Sequence, residues 1–163
     1  MTDRTDPYHC CDNDHQRCIA AALCQAEILC LAQRQRLTTI RRRVLELVWQ
    51  QHKPIGAYDL LALLQQDGRT APPTVYRALD FLLQAGLIHR LSSLNAYVGC
   101  ARPGEAHDGQ FFICTSCRTL AEIDEPAITG AIEQSAAASG FTPRKQTVEI
   151  MGLCPDCTPK EEI

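Results

Sequence analysis

Apolar residues recur every three or four positions in four successive segments of the N-terminal half, which is the spacing of helices with one buried face. In the first segment, Ile19, Leu23 and Ala26 share a stripe, and good helix formers surround them. The fourth segment opens on Pro72-Pro73 and is followed by Gly86, which are typical helix boundary residues. The pattern predicts helices over residues 18–33, 40–51, 57–67 and 72–84.

Shorter apolar runs bounded by turn residues follow the helices. They predict two strands at 87–91 and 96–100, joined by a short turn. Residues 101–109 carry two glycines and a proline without periodicity, which is typical of a linker. Beyond it, strands are predicted at 110–114, 118–124 and 145–152, with a helix at 126–139.

The order of these elements predicts an α+β chain. Three short helices followed by a two-stranded hairpin are the elements of a winged helix-turn-helix, whose second turn helix enters the major groove of DNA. The predicted organisation is a flexible N-terminal tail (1–17), a winged-helix DNA-binding domain (18–100), a linker or hinge (101–109) and a small C-terminal α/β domain (110–163).

The distribution of charge separates the two halves. The net charge is −3, yet between Leu31 and Arg90 nine Lys/Arg stand against four Asp/Glu. From Leu94 to the end, five basic residues face ten acidic ones. A basic half joined to an acidic half suits a basic binding domain beside a domain with another role, although from charge alone a solvated arginine face is the more common explanation.

The composition also points to a compartment. With 45% apolar residues the 163-residue chain supports a core, and no run approaches the roughly 18 apolar residues of a membrane span. The N-terminus lacks the basic start and apolar stretch of a signal peptide. We therefore expect a cytoplasmic protein without a membrane partner, in which the ten cysteines are reduced.

Two Cys-x-x-Cys pairs stand about forty residues apart in the C-terminal half. Each turn delivers two thiolates to one metal, so two turns complete the tetrahedral sphere of a structural zinc ion. A redox motif or disulfide pairing is the alternative, but the flanking pattern lacks the βαβ run of a thioredoxin-like motif. The predicted ligands are Cys114, Cys117, Cys154 and Cys157.

The N-terminal cysteines form a different pattern. Cys18, Cys24 and Cys30 are six residues apart, so on a continuous helix they point in three directions and cannot share one metal. Two alternatives stay open for the segment before them, a disordered tail or a weak accessory metal site. Its potential ligands are His9, Cys10, Cys11, His15 and Cys18.

Four segments resemble the ferric uptake regulator (Fur) family, and within it the zinc-sensing branch. They are Pro72 to Leu82, which reads PPTVYRALDFL, Ala57 to Leu61, which reads AYDLL, and the two cysteine pairs. The resemblance covers about residues 20 to 157 and implies a homodimeric, metal-dependent DNA-binding regulator. It assigns dimerisation to residues 110–163.

The resemblance also implies a second, regulatory zinc site. Iron and peroxide sensors of the family carry a histidine-rich string before the first cysteine pair, whereas this chain has only His107 there. The zinc-branch pattern is matched by His89, Cys100, His107 and Glu122. A thiolate with imidazoles favours zinc over iron or manganese. We therefore expect about two zinc ions per chain.

Several exposed positions are candidates for DNA contact. Arg77, early in the predicted recognition helix, suits a bidentate contact to guanine. Tyr76 and Thr74 suit phosphate or thymine-methyl contacts, and Tyr58 resembles a family position near DNA. The basic run Arg41, Arg42 and Arg43 suits the phosphate backbone.

Together these features predict a zinc-responsive repressor of zinc-uptake genes that binds operator DNA as a homodimer. The hypothesis is that zinc favours a closed state which fixes the spacing of two recognition helices. A Fur-type iron or peroxide sensor is the alternative, and a zinc-dependent hydrolase or thiol oxidoreductase is the alternative of another class. Four protein ligands leave no position for substrate or water, so we expect no enzyme activity and no small-molecule substrate.

Overall fold

A computed structural model describes residues 15–50, 53–105 and 107–159. The chain divides into two compact units, Met1–Glu105 and Ala106–Ile163. Of the residues of the alternative accessory metal site, His9, Cys10, Cys11 and His15 lie outside the described side chains, whereas Cys18 is described. Among the described helices, none is long and apolar enough to cross a membrane.

Four helices build the N-terminal unit, as the apolar spacing predicts. The first begins three residues earlier than expected, so residues 15–17 of the predicted tail are helical. Cys18 is half-buried in this helix, whereas Cys24 is exposed and Cys30 is buried. The helices are α1 (His15–Ala32), α2 (Thr39–Trp49), α3 (Ala57–Asp67) and α4 (Pro72–Gln84).

A three-stranded antiparallel sheet completes this unit. Its strands are β1 (Ile55–Gly56), β2 (Ile88–Leu91) and β3 (Ala96–Gly99), in the order β1-β3-β2. The predicted hairpin is β2 and β3, while β1 was missed because the sequence pattern there indicates only a chain break. A two-residue strand has no periodicity of its own, and only its pairing with Tyr97 and Ala96 defines it.

The core of the N-terminal unit is made by the inward faces of the helices. Leu60 from α3 and Leu79 and Leu82 from α4 are fully buried, and they pack with Leu45 from α2. Leu83, near the end of α4, is only half-buried. Burying a leucine contributes about 1.5–3 kcal/mol, so this layer is what holds α4 against the other helices.

The C-terminal unit is a second three-stranded sheet with one helix. The central strand β4 (Gly109–Cys114) pairs antiparallel with β5 (Leu120–Ile123) and parallel with β6 (Thr147–Gly152). Its buried residues are few, chiefly Phe111, Ile113 and Ala121. The helix buries no residue. This helix is α5 (Pro126–Ala138), which lies between β5 and β6 in the sequence.

A buried glutamine attaches α5 to this sheet. Gln110 of β4 is 1% exposed, and its amide nitrogen donates to the Glu125 carbonyl at 3.2 Å and to the Thr129 hydroxyl at 3.0 Å. Its amide oxygen accepts from the Glu125 N–H at 3.2 Å. Since α5 buries no apolar side chain, these hydrogen bonds set where the helix starts.

Candidate metal centres and nucleic-acid interface

Four cysteines meet at one end of the C-terminal sheet. β4 ends at Cys114, and its parallel neighbour β6 ends at Gly152, two residues before Cys154. Parallel strands bring their carboxyl ends to the same edge, so the two Cys-x-x-Cys turns lie side by side. The Thr115 N–H donates to the Gly152 carbonyl at 2.8 Å and joins them. The ligand sulfurs lie within 4.8 Å of one another, and they belong to Cys114, Cys117, Cys154 and Cys157.

The spacing of the sulfurs fits a tetrahedral metal. The Sγ atoms of Cys117 and Cys154 are 3.7 Å apart. Zinc–sulfur bonds of about 2.3 Å separate two tetrahedral ligands by about 3.8 Å. A disulfide would require about 2.05 Å. The four cysteines therefore have the chemistry and the spacing of a closed structural zinc site, and not those of a disulfide.

Hydrogen bonds prepare part of this site for a cation. Backbone hydrogen bonds at Cys117 and Cys154 lower the pKa of Cys114 to about 6. The Thr119 hydroxyl, 3.1 Å from the Cys117 sulfur, lowers the pKa of Cys117. Burial raises the pKa of Cys154 to about 12. Without a cation Cys154 keeps its proton at neutral pH, so four thiolates at this site require the charge of a metal.

Two of the four predicted regulatory ligands lie together in the N-terminal unit. His89 is in β2 opposite Val98 of β3. Cys100 follows β3 and continues the ladder, because its N–H donates to the Leu87 carbonyl at 3.1 Å. Alternation along the strands puts His89 and Cys100 on one face of this ribbon, and their ligand atoms lie within 4.8 Å of each other. Cys100 is buried.

The other two predicted regulatory ligands lie together in the C-terminal unit. His107 precedes β4, and Glu122 is in β5 opposite Phe111. The His107 Nε2 and the Glu122 Oε1 are 2.9 Å apart. Their side chains are only 7% and 8% exposed, so the carboxylate is buried beside the imidazole. Each unit thus contributes one pair of potential ligands.

The outward face of α4 carries the predicted DNA-contacting residues. Thr74, Tyr76 and Arg77 are exposed, whereas Val75, Ala78 and Leu79 between and after them are buried. The structure places no ion pair or hydrogen-bond partner beside the Arg77 side chain among the residues it describes. Its guanidinium is therefore available to a ligand in solution.

Tyr58 extends this face from the first turn of α3. It is 78% exposed, and its hydroxyl lies near that of Tyr76. Loss of solvent and the neighbouring Tyr58 raise the pKa of Tyr76, so the Tyr76 phenol stays a neutral hydrogen-bond donor at physiological pH. Two phenolic donors and a guanidinium make a surface that suits phosphate and base edges.

The basic run in α2 is engaged within the protein. Arg41 stacks on the Phe81 ring, 3.5 Å from its centroid, and donates to the Arg36 carbonyl at 2.6 Å. Arg42 pairs with Glu27, and Arg43 pairs with Asp67 at 2.7 Å. A phosphate contact by these three residues would have to replace or share these partners. The stacking of Arg41 on Phe81 was not predicted, because the two residues belong to different helices and lie forty positions apart in the sequence.

Comparisons with known proteins agree with this geometry. A model of the ferric uptake regulator family matches residues 32–151. The zinc uptake regulation protein of Escherichia coli (strain K12) is 40% identical over 141 residues, which cover 85% of this chain and 82% of that protein.

Solved structures give the same result. A zinc uptake regulator complexed with zinc and DNA superposes with a TM-score of 0.81 at 40% identity, covering 85% of this chain and 94% of that chain. The crystal structure of holo XcZur superposes with a TM-score of 0.79 at 41% identity, covering 84% and 96% of the two chains.

Proposed function

Because this chain belongs to the ferric uptake regulator family, we propose that it is a zinc-responsive transcription repressor that binds operator DNA as a homodimer. The observation that carries this function is that one chain has both an exposed α4 face that suits DNA and groups of side chains that suit zinc. It is a regulator and not an enzyme, as is typical of the family.

The two kinds of donor set have different roles. The four cysteines hold a structural zinc ion that is retained whenever the C-terminal unit is folded. The regulatory zinc takes a soft thiolate, two imidazoles and a carboxylate. Its ligands are His89, Cys100, His107 and Glu122. The chain therefore binds about two zinc ions, one tight and one labile.

Ligation by both pairs explains how zinc controls DNA binding. His89 and Cys100 belong to the DNA-binding domain (18–100), while His107 lies in the linker (101–109) and Glu122 in the dimerisation domain (110–163). A site that needs both pairs is complete only when the two domains take one arrangement. Zinc then stabilises that arrangement by its differential affinity, and the homodimer presents two α4 helices at a fixed spacing.

The surface for the second protomer is on the C-terminal unit. α5 buries none of its residues, and Ile150, Met151 and Leu153 at the end of β6 are 43%, 51% and 50% exposed. β6 is also an edge strand of its sheet. An apolar edge of this kind is a liability in a monomer, so a second copy covers it. A protein that binds operator DNA acts where that DNA lies, and we propose the cytoplasm as its compartment.

The identity of the metal is tested by elemental analysis and gel shift on the full chain. Purified protein is expected to hold about two zinc ions. Mild chelation is expected to remove one of them, and operator binding is expected to be lost with that ion. Zinc restores the shift and Fe²⁺ does not, because Cys100 prefers the softer ion. Restoration by Fe²⁺ alone would favour the iron-sensing alternative.

The DNA face is tested separately with Arg77→Ala. Loss of one bidentate base contact is expected to weaken operator binding by about 1–3 kcal/mol and to relax preference at one base pair. Arg69→Ala is the matched control, since Arg69 is an exposed arginine before α4. Equal affinity of Arg77→Ala and wild type would remove Arg77 from the interface.

A further inference from the structure

The single tryptophan of the chain lies directly against a glycine of β3. Trp49 is the last residue of α2, and its indole covers Gly99. A Cβ placed on Gly99 would lie 2.6 Å from the indole Cζ2 and nearer still to Cε2 and Nε1. Side-chain carbons do not approach so closely, so the contact exists only because residue 99 has no side chain.

This contact lies on the opposite face of the β2–β3 hairpin from the His89–Cys100 pair. Gly99 pairs with Ile88, and its missing side chain would face α2. Successive residues of a strand face opposite sides, so Cys100 presents its sulfur on the side away from Trp49. His89 shares that side. The indole thus supports the strand immediately behind a potential zinc ligand.

We propose that Trp49 is the positioning residue of the His89–Cys100 pair, an inference that rests on the regulatory zinc site proposed above. The indole sets the distance of β3 from α2 and so the place of the Cys100 sulfur. α2 packs on both β3 and α4. A displacement of β3 therefore displaces α2, because close-packed interiors transmit strain. α2 in turn supports α4, the recognition helix.

The proposal is tested with Gly99→Ala in the full-length dimer with the four-cysteine site loaded. The added methyl pushes β3 from the indole, and we expect the labile zinc to bind about tenfold more weakly. Affinity is read by competition with a chromophoric zinc chelator. The double variant Trp49→Leu/Gly99→Ala makes room for the methyl and is expected to recover most of the loss.

A matched control is Gly56→Ala. Gly56 is in β1 of the same sheet, and a Cβ there meets only the tip of the Asp59 carboxylate, 3.2 Å away. The affinity of Gly56→Ala for the labile zinc is expected to equal that of the wild type. If Gly99→Ala does not fold, Trp49→Phe provides a milder change, because it keeps an aromatic ring against β3 but a smaller one. Its affinity for the labile zinc is expected to be about threefold weaker.

Fluorescence gives a readout that does not depend on DNA. Because Trp49 is the only tryptophan, its emission is expected to change as the labile zinc binds, and Cys100→Ser is expected to abolish the change. If Cys100→Ser retains the labile zinc at wild-type affinity, the regulatory site itself is wrong. If Cys100→Ser loses that zinc while Gly99→Ala and Trp49→Phe bind it as the wild type does, only the role of Trp49 is overturned.

Discussion

The two units of this protein are stabilised in different ways. In the N-terminal unit, four helices bury a continuous apolar layer that includes Leu45, Leu60, Leu79 and Leu82. In the C-terminal unit, few apolar side chains besides Phe111 and Ile113 are buried, and α5 buries none. One unit thus has a continuous hydrophobic core, whereas the other has few buried apolar side chains, a cluster of four cysteines and a buried polar contact.

Size explains the difference. A unit of roughly 60 residues buries too little surface for a strong core, and small folds commonly add metal ligands or oligomerisation. The C-terminal unit has four cysteines that suit a metal and an apolar edge that suits a second protomer. The difference leads us to infer that a zinc ion at the four cysteines has a structural role in this unit, apart from any regulatory role.

Removal of a structural ligand is expected to have the largest effect. Cys154→Ser takes a buried thiolate from the four-cysteine site, so zinc content falls by about one ion per chain and the C-terminal unit loses its cooperative fold. Hydrogen exchange resolved by segment measures this, with β2 and β3 retaining protection. Cys24→Ser, at an exposed thiol, is the control. Full protection of β4 and β6 in Cys154→Ser would contradict the contrast between the units.

A cavity in the N-terminal core comes next. Leu79 is 0% exposed, and Leu79→Ala is expected to lower the free energy of unfolding of that unit by about 2–5 kcal/mol. Denaturant unfolding gives the value. Leu31→Ala, at an 80% exposed position, should change it by less than about 0.5 kcal/mol. Release of the structural zinc from Leu79→Ala under native conditions would show that the units are not independently stabilised.

A polar contact in the C-terminal unit should matter less than the core leucine. Gln110→Leu leaves the Glu125 N–H and carbonyl without their buried partner, at a cost of about 1–3 kcal/mol. Hydrogen exchange of the first turn of α5 is expected to rise while β4 stays protected. Gln134→Leu, at an exposed position of α5, is the control. Unchanged exchange in Gln110→Leu would mean that other contacts set the start of α5.

The smallest effect is expected at a surface ion pair of the N-terminal unit. Arg43→Gln breaks the pair with Asp67, and exposed pairs contribute about 0–1 kcal/mol. Because Arg43 is already engaged, the salt dependence of operator binding should stay the same. Arg77→Gln is the comparison and should relax the preference at one base pair, because a base contact gives specificity whereas a phosphate contact sets the salt dependence. A reduced slope for Arg43→Gln would support the phosphate contact predicted from the sequence.

Much of the fold could be predicted because its signals are local. The start of α4 at Pro72, the outward placement of Arg77 and the Cys-x-x-Cys spacing inside each cysteine turn are features of one or two turns of chain. The His89, Cys100, His107 and Glu122 set has no such spacing, and only resemblance pointed to it. It stays a prediction until zinc binding is measured.

The sequence by itself determined which residues form helices, which helix face is apolar, and that four cysteines suit one zinc ion. Only the tertiary structure decided that Gly99 admits the Trp49 indole, that Arg41 stacks on Phe81, that Gln110 holds α5, and that Ile55 pairs with β3. The physical reason is distance along the chain. Periodicity and turn chemistry act between near neighbours, whereas each of these contacts joins residues 15 or more positions apart and exists only once the core has packed.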